Sequence, residues 1–301
     1  FRKKNKRLPQ NLQRYLKMIV LFVSMSGIGM SAHKGRLKAT AFFLPTRTAT
    51  PVNLSQKDST LEQQYKKAET LFENNNYVES LRKALYLIEQ IKNSKNTRLQ
   101  FKITFLIADI YRKNREHKKS IPYYKNSLKQ LENVLLDGQK MDYSYQKYLA
   151  ENLLRLGSRY QLLKKNDSAI FYYYKLAKLN SLTDEVLGFQ ASSYSNLAGI
   201  YQKDTTMLNH YEKAIEFAER AIEVHKKRNN FISQAGAINN LASVYLFQGD
   251  FLKSKKTYLK GLKLIERDTL TRAIRVKVTL YNNLSWAMRQ LKEYKAYDYQ
   301  E

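Results

Sequence analysis

Asn240–Ser254 reads NLASVYLFQGDFLKS, and the spacing inside it decides the fold. Leu241, Ala242 and Tyr245 fall at helical steps, which puts them on one stripe of a helix. Gly249-Asp250 then marks a turn, and Phe251 and Ser254 open a second stripe. The unit is a helical hairpin. Ala242 is small enough for two antiparallel helices to approach at the short end of their usual separation, and Tyr245, one turn on, fills the space between them.

The same pattern recurs on both sides of this stretch. An aliphatic residue, a small one, then an aromatic three further on appear as Ile107-Ala108-x-x-Tyr111, Leu156-Gly157-x-x-Tyr160 and Leu197-Ala198-x-x-Tyr201, with Leu284-Ser285-x-x-Met288 a weaker copy. The second stripe recurs as Tyr211, Ala214, Ala218 and Ala221, and earlier as Tyr77, Ser80 and Ala84, preceded by Ala68 and Leu71. Polar stretches at 93–98, 137–142, 180–184, 226–230 and 266–271 fit the turns between hairpins. Only 4 prolines occur, the last at Pro122, so the rest of the chain holds no strong helix breaker. A fully buried large apolar side chain contributes roughly 1.5–3 kcal/mol, too little for a lone hairpin to stay folded and enough for a stack. The spacing predicts an all-α chain in which about six hairpins stack; an ordinary helical bundle would not return one pattern five times.

The stretches NLAGIY (196–201), NLASVYLFQGDFLKS (240–254) and YEKAIEFAERAI (211–222) resemble tetratricopeptide repeats. The resemblance spans residues 61–301 and implies an α-α superhelix, or solenoid. Two departures stand out. Copies lie 49, 41, 44 and 43 residues apart, measured from Ile107 through Leu156, Leu197 and Leu241 to Leu284, against about 34 in the standard unit; longer helices account for the difference. An insertion at Lys203–Leu208 lengthens one hairpin turn.

Ahead of the repeats, Arg2, Lys3, Lys4, Lys6, Arg7, Arg14 and Lys17 precede the apolar run Met18–Met30, then Ser31 and Ala32. This is the layout of an export signal. The run holds Ser24, Ser26, Gly27 and Gly29 and is shorter than the roughly 18 apolar residues of a spanning helix. The pattern predicts export or membrane tethering through residues 1–32, on the periplasmic side; a poorly ordered basic leader is the alternative. Residues 42–60, with Pro45 and Pro51, read as a linker, so the expected organisation is a leader and linker over 1–60 and a repeat solenoid over 61–301 whose last repeat is cut short.

Lys+Arg total 53 against 26 Asp+Glu, a net charge of +27, and residues 1–60 hold twelve basic residues against one acidic. Such charge attracts anionic surfaces without fixing the fold, and lysines that only solubilise the surface give the same balance. With no cysteine, disulfides, thiolate metal sites and cysteine nucleophiles are excluded. No glycine loop that cradles phosphate is present, and His33, His117, His210 and His225 stand alone, outside any ligand spacing. Neither an enzyme, a cofactor nor a metal is expected.

In tetratricopeptide proteins the first helices line a concave groove that receives an extended peptide or a partner helix, so the resemblance implies a protein-binding scaffold. By helical geometry the residues beside each buried leucine, off its stripe, face that groove. Asn196, Asn240 and Asn283 each precede a buried leucine, with Asn239 and Asn282 beside two of them. A row of amides hydrogen-bonds a peptide backbone whatever its side chains; asparagines that are merely solvated or cap neighbours are the plain alternative. Lys102, Arg112, Lys113, Arg155 and Arg289 add attraction for an acidic partner. The 23 tyrosines fall mostly on hairpin-interior positions, which argues against nucleic-acid stacking. The layout is also similar to the sensory input regions of bacterial signalling proteins, which would place a histidine-kinase or transcriptional-regulator output beyond residue 301.

Overall fold

Every apolar stripe read from the sequence is a helix. The computed structural model describes residues 54–92, 94, 96–136, 142–180 and 183–292. Five hairpins follow one another: α1 (Leu54–Glu73) with α2 (Tyr77–Ile91), α3 (Thr97–Lys113) with α4 (His117–Leu136), α5 (Tyr143–Leu162) with α6 (Asn166–Ala177), α7 (Asp184–Lys203) with α8 (His210–Lys227), and α9 (Phe231–Gln248) with α10 (Phe251–Leu264). The first helix of a sixth, α11 (Thr271–Gln290), comes last, and the described residues contain no strand. Helix α1 begins inside the stretch read as linker, because no proline or glycine interrupts the chain after Pro51. The leader, with its apolar run Met18–Met30, lies outside the described residues, among which no helix is long and apolar enough to cross a membrane.

Polar residues start these helices. Asn96, Asp142, Thr183 and Asn230 each accept a hydrogen bond from the backbone N–H three residues on, at 3.0–3.3 Å, and so cap α3, α5, α7 and α9. The turns inside four of the five hairpins share another device. Asn75, Arg115, Lys164 and Gly249 take left-handed φ values of 61, 61, 58 and 89°. The next amide then reaches back to a carbonyl five residues earlier: Asn76 to Leu71, Glu116 to Tyr111, Lys165 to Tyr160 and Asp250 to Tyr245, all at 2.8–2.9 Å. This satisfies carbonyls that the helix end leaves without partners. Only one of the four positions carries the glycine that betrays such a turn in a sequence.

Each helix packs on its chain neighbours, and first helices also meet the next first helix across α1/α3, α5/α7, α7/α9 and α9/α11. The core is correspondingly a chain of clusters that pass from hairpin to hairpin. One joins α1, α2 and α3 through Leu61, Leu87 and Ile107, and another joins α6 to α9 through Tyr173, Leu197, Phe217 and Leu241. Hairpins therefore shield one another's apolar faces, as stacking requires. Close approach within a hairpin is visible in two buried serines of the second helices: Ser80 Oγ donates to Ala68 O at 2.7 Å and Ser254 Oγ to Ala242 O at 2.9 Å. The widest spacing in the sequence, Ile107 to Leu156, coincides with the 20-residue α4, whose far end adds Leu131 and Val134 to a separate cluster with Phe101 and Tyr145.

Candidate peptide-binding groove

First helices contact one another across α1/α3, α5/α7, α7/α9 and α9/α11, and among the described residues second helices make no comparable contacts, so the first helices share one side of the row. Side chains of α1, α3, α5, α7, α9 and α11 that leave the hairpin interior meet there, and they divide into two chemically different halves.

The α1–α3–α5 half is tied across by charge. Lys102 Nζ donates to Glu62 at 3.2 Å and lies over the Tyr65 ring, 5.7 Å from its centroid. Arg112 forms two 2.8 Å bonds to Asp109, which also accepts from the Tyr124 hydroxyl. Arg155 sits 3.8 Å from Asp109 and donates to Glu151 at 2.7 Å. Burial alone would raise the Asp109 pKa, but Arg112, Arg155 and Tyr124 outweigh it and hold the carboxyl below its ordinary value. Burial, and then the Asp109 charge, push the Tyr124 hydroxyl well above the usual tyrosine value. Lys102, Arg112 and Arg155, expected as cations open to a partner, are thus held by carboxylates of the chain itself. Lys113 is exposed, its ammonium 5.9 Å from the centre of the Phe72 ring.

The α7–α9–α11 half is lined by amides, with Arg275 and Arg289 on the same face of α11 as Asn282. Asn196, Asn239, Asn240 and Asn283 are half-buried and Asn282 is exposed. One rung links two repeats, with Asn283 Nδ2 donating to Asn239 Oδ1 at 2.9 Å. The expected row through Asn196, Asn240 and Asn283 is therefore joined across α9/α11 by Asn239 rather than Asn240. Arg289 lies on the exposed end of α11.

Three residues escaped the sequence reading. Gly199 and Gly236 share the face of these amides at three- and four-residue steps, and a Cβ built on either meets nothing within 4 Å. Mid-helix glycine costs about 1 kcal/mol relative to alanine, and here no internal neighbour requires it. The third is Trp286, 58% exposed and one turn past Asn282 and Asn283. The only tryptophan of the chain, it stands directly after the small residue of its repeat, where other repeats have Asp109, Ser158, Gly199 and Ser243. That departure from the repeat was the signal available. Among the described residues no three His, Asp or Glu side chains gather to hold a metal ion.

A tetratricopeptide-repeat family model matches residues 235–268, most of α9 and all of α10. No curated protein sequence matches significantly. Among solved structures, BtubC (BKLC) from P. vanneervenii is similar at TM-score 0.55 and 17% identity, over 78% of this chain and 86% of that one. A tetratricopeptide repeat protein from Parabacteroides merdae gives 0.53 and 15%, over 80% and 77% of the two chains. The apo form of RapI gives 0.56 and 13%, over 80% and 74%. At these identities the likeness is one of fold. With a matched repeat at 235–268 and the same hairpin stacked through the other described helices, the chain has the tetratricopeptide-repeat fold.

Proposed function

We propose that this chain is a non-catalytic interaction scaffold that holds an extended segment of a protein partner along the shared side of α7, α9 and α11. The observation that carries the reading is the pair Gly199 and Gly236, which leave open space beside a row of amides that no packing inside the molecule explains. A backbone can approach closely there, with Asn196, Asn240 and Asn282 able to donate to and accept from it, while Trp286 offers an apolar contact. The chain's charge of +27 favours an acidic partner by steering its approach.

The test is affinity capture with the full chain as bait, followed by binding measurements on the peptide it selects. Replacing Gly199 and Gly236 with leucine fills the trough on a surface that folding does not use, and should weaken binding at least tenfold with helicity unchanged. Replacing Asn240 and Asn282 with alanine should weaken it less. Undiminished capture by the leucine variant would refute the site.

The basic, apolar leader gives this scaffold an exported or membrane-tethered location in our reading. Cell fractionation with N-terminal sequencing of the mature protein tests it; recovery of the protein only in the cytosol, with the leader intact, would rule it out.

A further inference from the structure

Helix α10 carries no carboxylate, and its outward face is lysine and leucine. Leu252, Lys253, Lys256, Leu259, Lys260 and Lys263 are all exposed, and helical geometry gathers them on one arc about a third of the circumference wide. The opposite arc is buried through Ser254, Tyr258, Gly261 and Leu262. None of the four lysines has an ion-pair partner among the described residues; Lys253 lies over the Tyr245 ring, 4.1 Å from its centroid.

The neighbouring second helix, α8, is an internal comparison. Its exposed face interleaves Glu212, Glu216, Glu219 and Glu223 with cations, and Arg220–Glu216 and Lys227–Glu223 pair at 2.7 and 2.8 Å. That is the ordinary way to make a soluble helix face. On α10, lysines three and four residues apart repel one another with no counter-charge on the helix. The leucines among them are 53% exposed (Leu252) and 46% exposed (Leu259). A face with apolar side chains set among lysines of one sign has the character of an interfacial helix, because lysine stems can lie along an apolar layer while their ammonium groups stay among the headgroups. Phosphates of single-stranded nucleic acid would meet the same charge, but such ligands also need aromatic platforms, and the exposed arc of α10 has none.

We propose that α10 is a docking face for an anionic phospholipid bilayer, with Lys256, Lys260 and Lys263 at the headgroup phosphates and Leu252 and Leu259 entering the layer beneath. The proposal does not depend on the groove. It also gives the solenoid a membrane contact separate from residues 1–32.

The experiment is co-sedimentation of the full chain with vesicles of phosphatidylcholine alone and of phosphatidylcholine with 30% phosphatidylglycerol. Three full-length variants are compared with the parent: K256Q/K260Q/K263Q on α10, L252S/L259S on α10, and K118Q/K125Q/K129Q on α4, which removes the same charge elsewhere. Each lysine near an anionic surface strengthens binding roughly fivefold, so the α10 lysine variant should lose at least tenfold on anionic vesicles. The α4 variant should stay within about threefold, and the leucine variant should lose most of the binding that survives in high salt. Equal losses from the α10 and α4 lysine variants would reduce the effect to net charge and overturn the proposal. So would unchanged vesicle binding by all three, or a loss confined to binding of a single-stranded oligonucleotide tested alongside.

Discussion

The ring of Tyr173 lies against the α-carbon of Gly157, so close that a Cβ on Gly157 would stand 2.5 Å from a ring carbon. Tyr173 is fully buried and its hydroxyl is tied to Gln161 at 2.9 Å, so the ring has little freedom to retreat. G157A should therefore destabilise by about 1–3 kcal/mol, the usual range for overpacking. The same substitution at Gly199, where a Cβ meets nothing, should stabilise by about 0.5–1 kcal/mol through helix propensity alone. Urea denaturation of both variants checks the pair, and equal shifts in one direction would contradict the geometry.

The hairpin turns supply a second contrast. Arg115 and Lys164 occupy the left-handed conformation that Gly249 occupies in the fifth hairpin. For an L-residue with a side chain that conformation costs about 1–2 kcal/mol, partly offset by the greater freedom of glycine in the unfolded chain. R115G and K164G should each raise stability by up to about 1 kcal/mol, and G249A should lower it by about as much. Thermal melts of the three single variants decide it; a loss of stability in R115G would show that its side chain contributes more than the turn costs.

These turns show where the sequence could be read and where it could not. Hairpins were legible because a buried leucine, a small residue and a tyrosine recur at fixed steps, and that periodicity survives any choice of surface residues. The start of α1 at Leu54 was not, because residues 54–60 lack both a breaker and a core residue in clear register. In the groove, Asn239 and Asn283 were legible as a recurring residue type, but their 2.9 Å bond depends on the stagger between α9 and α11, which spacing along the chain does not fix. Arg155 shows the same limit, since its charge is evident in the sequence while its approach to Asp109 depends on how α3 and α5 face each other; the Arg112–Asp109 pair, by contrast, is a three-residue step along α3 that spacing alone offers.

Arg159 is a further case. Two residues after the small residue, the other repeats bury Ile110, Ile200, Val244 and Ala287, whereas α5 buries a guanidinium, 9% exposed. It donates to His117 Nδ1 at 2.9 Å and to Ser158 Oγ at 3.0 Å, and among the described residues its buried Nε–H has no partner and no carboxylate pairs with it. Burial, with Arg112 and Arg155 nearby, lowers its pKa. Replacing a buried charge with a well-packed apolar residue commonly stabilises by about 1–4 kcal/mol. R159I, which restores the residue of α3 and α7, should therefore raise the urea midpoint. A lowered midpoint would mean that the contacts to His117 and Ser158 outweigh the cost of burial.

His225 sets an expectation for acid. It occupies the second-helix position that Ile91, Leu131 and Ile265 fill in other hairpins, and its buried Nδ1 has no hydrogen-bond partner among the described residues. Burial first, then the neighbouring cations Arg228 and Arg272, bring its pKa down from 6.5 to about 4. In the unfolded chain the imidazole takes up its proton near pH 6.5, so between that pH and about 4 the unfolded state binds more protons than the folded one. The contribution is fully present above the unfolded pKa and is lost as pH falls toward the folded one, amounting to at most about 3 kcal/mol across the window. Carboxylates add their own acid sensitivity, so the informative quantity is the difference from H225L, which keeps an apolar residue in the slot. Urea midpoints at pH 7, 5.5 and 4 should fall more steeply for the parent chain than for H225L, with the gap opening below pH 6.5. Parallel pH profiles would mean that His225 carries its proton as readily in the folded protein as outside it, and that the slot between α8 and its neighbours is wetter than its burial implies.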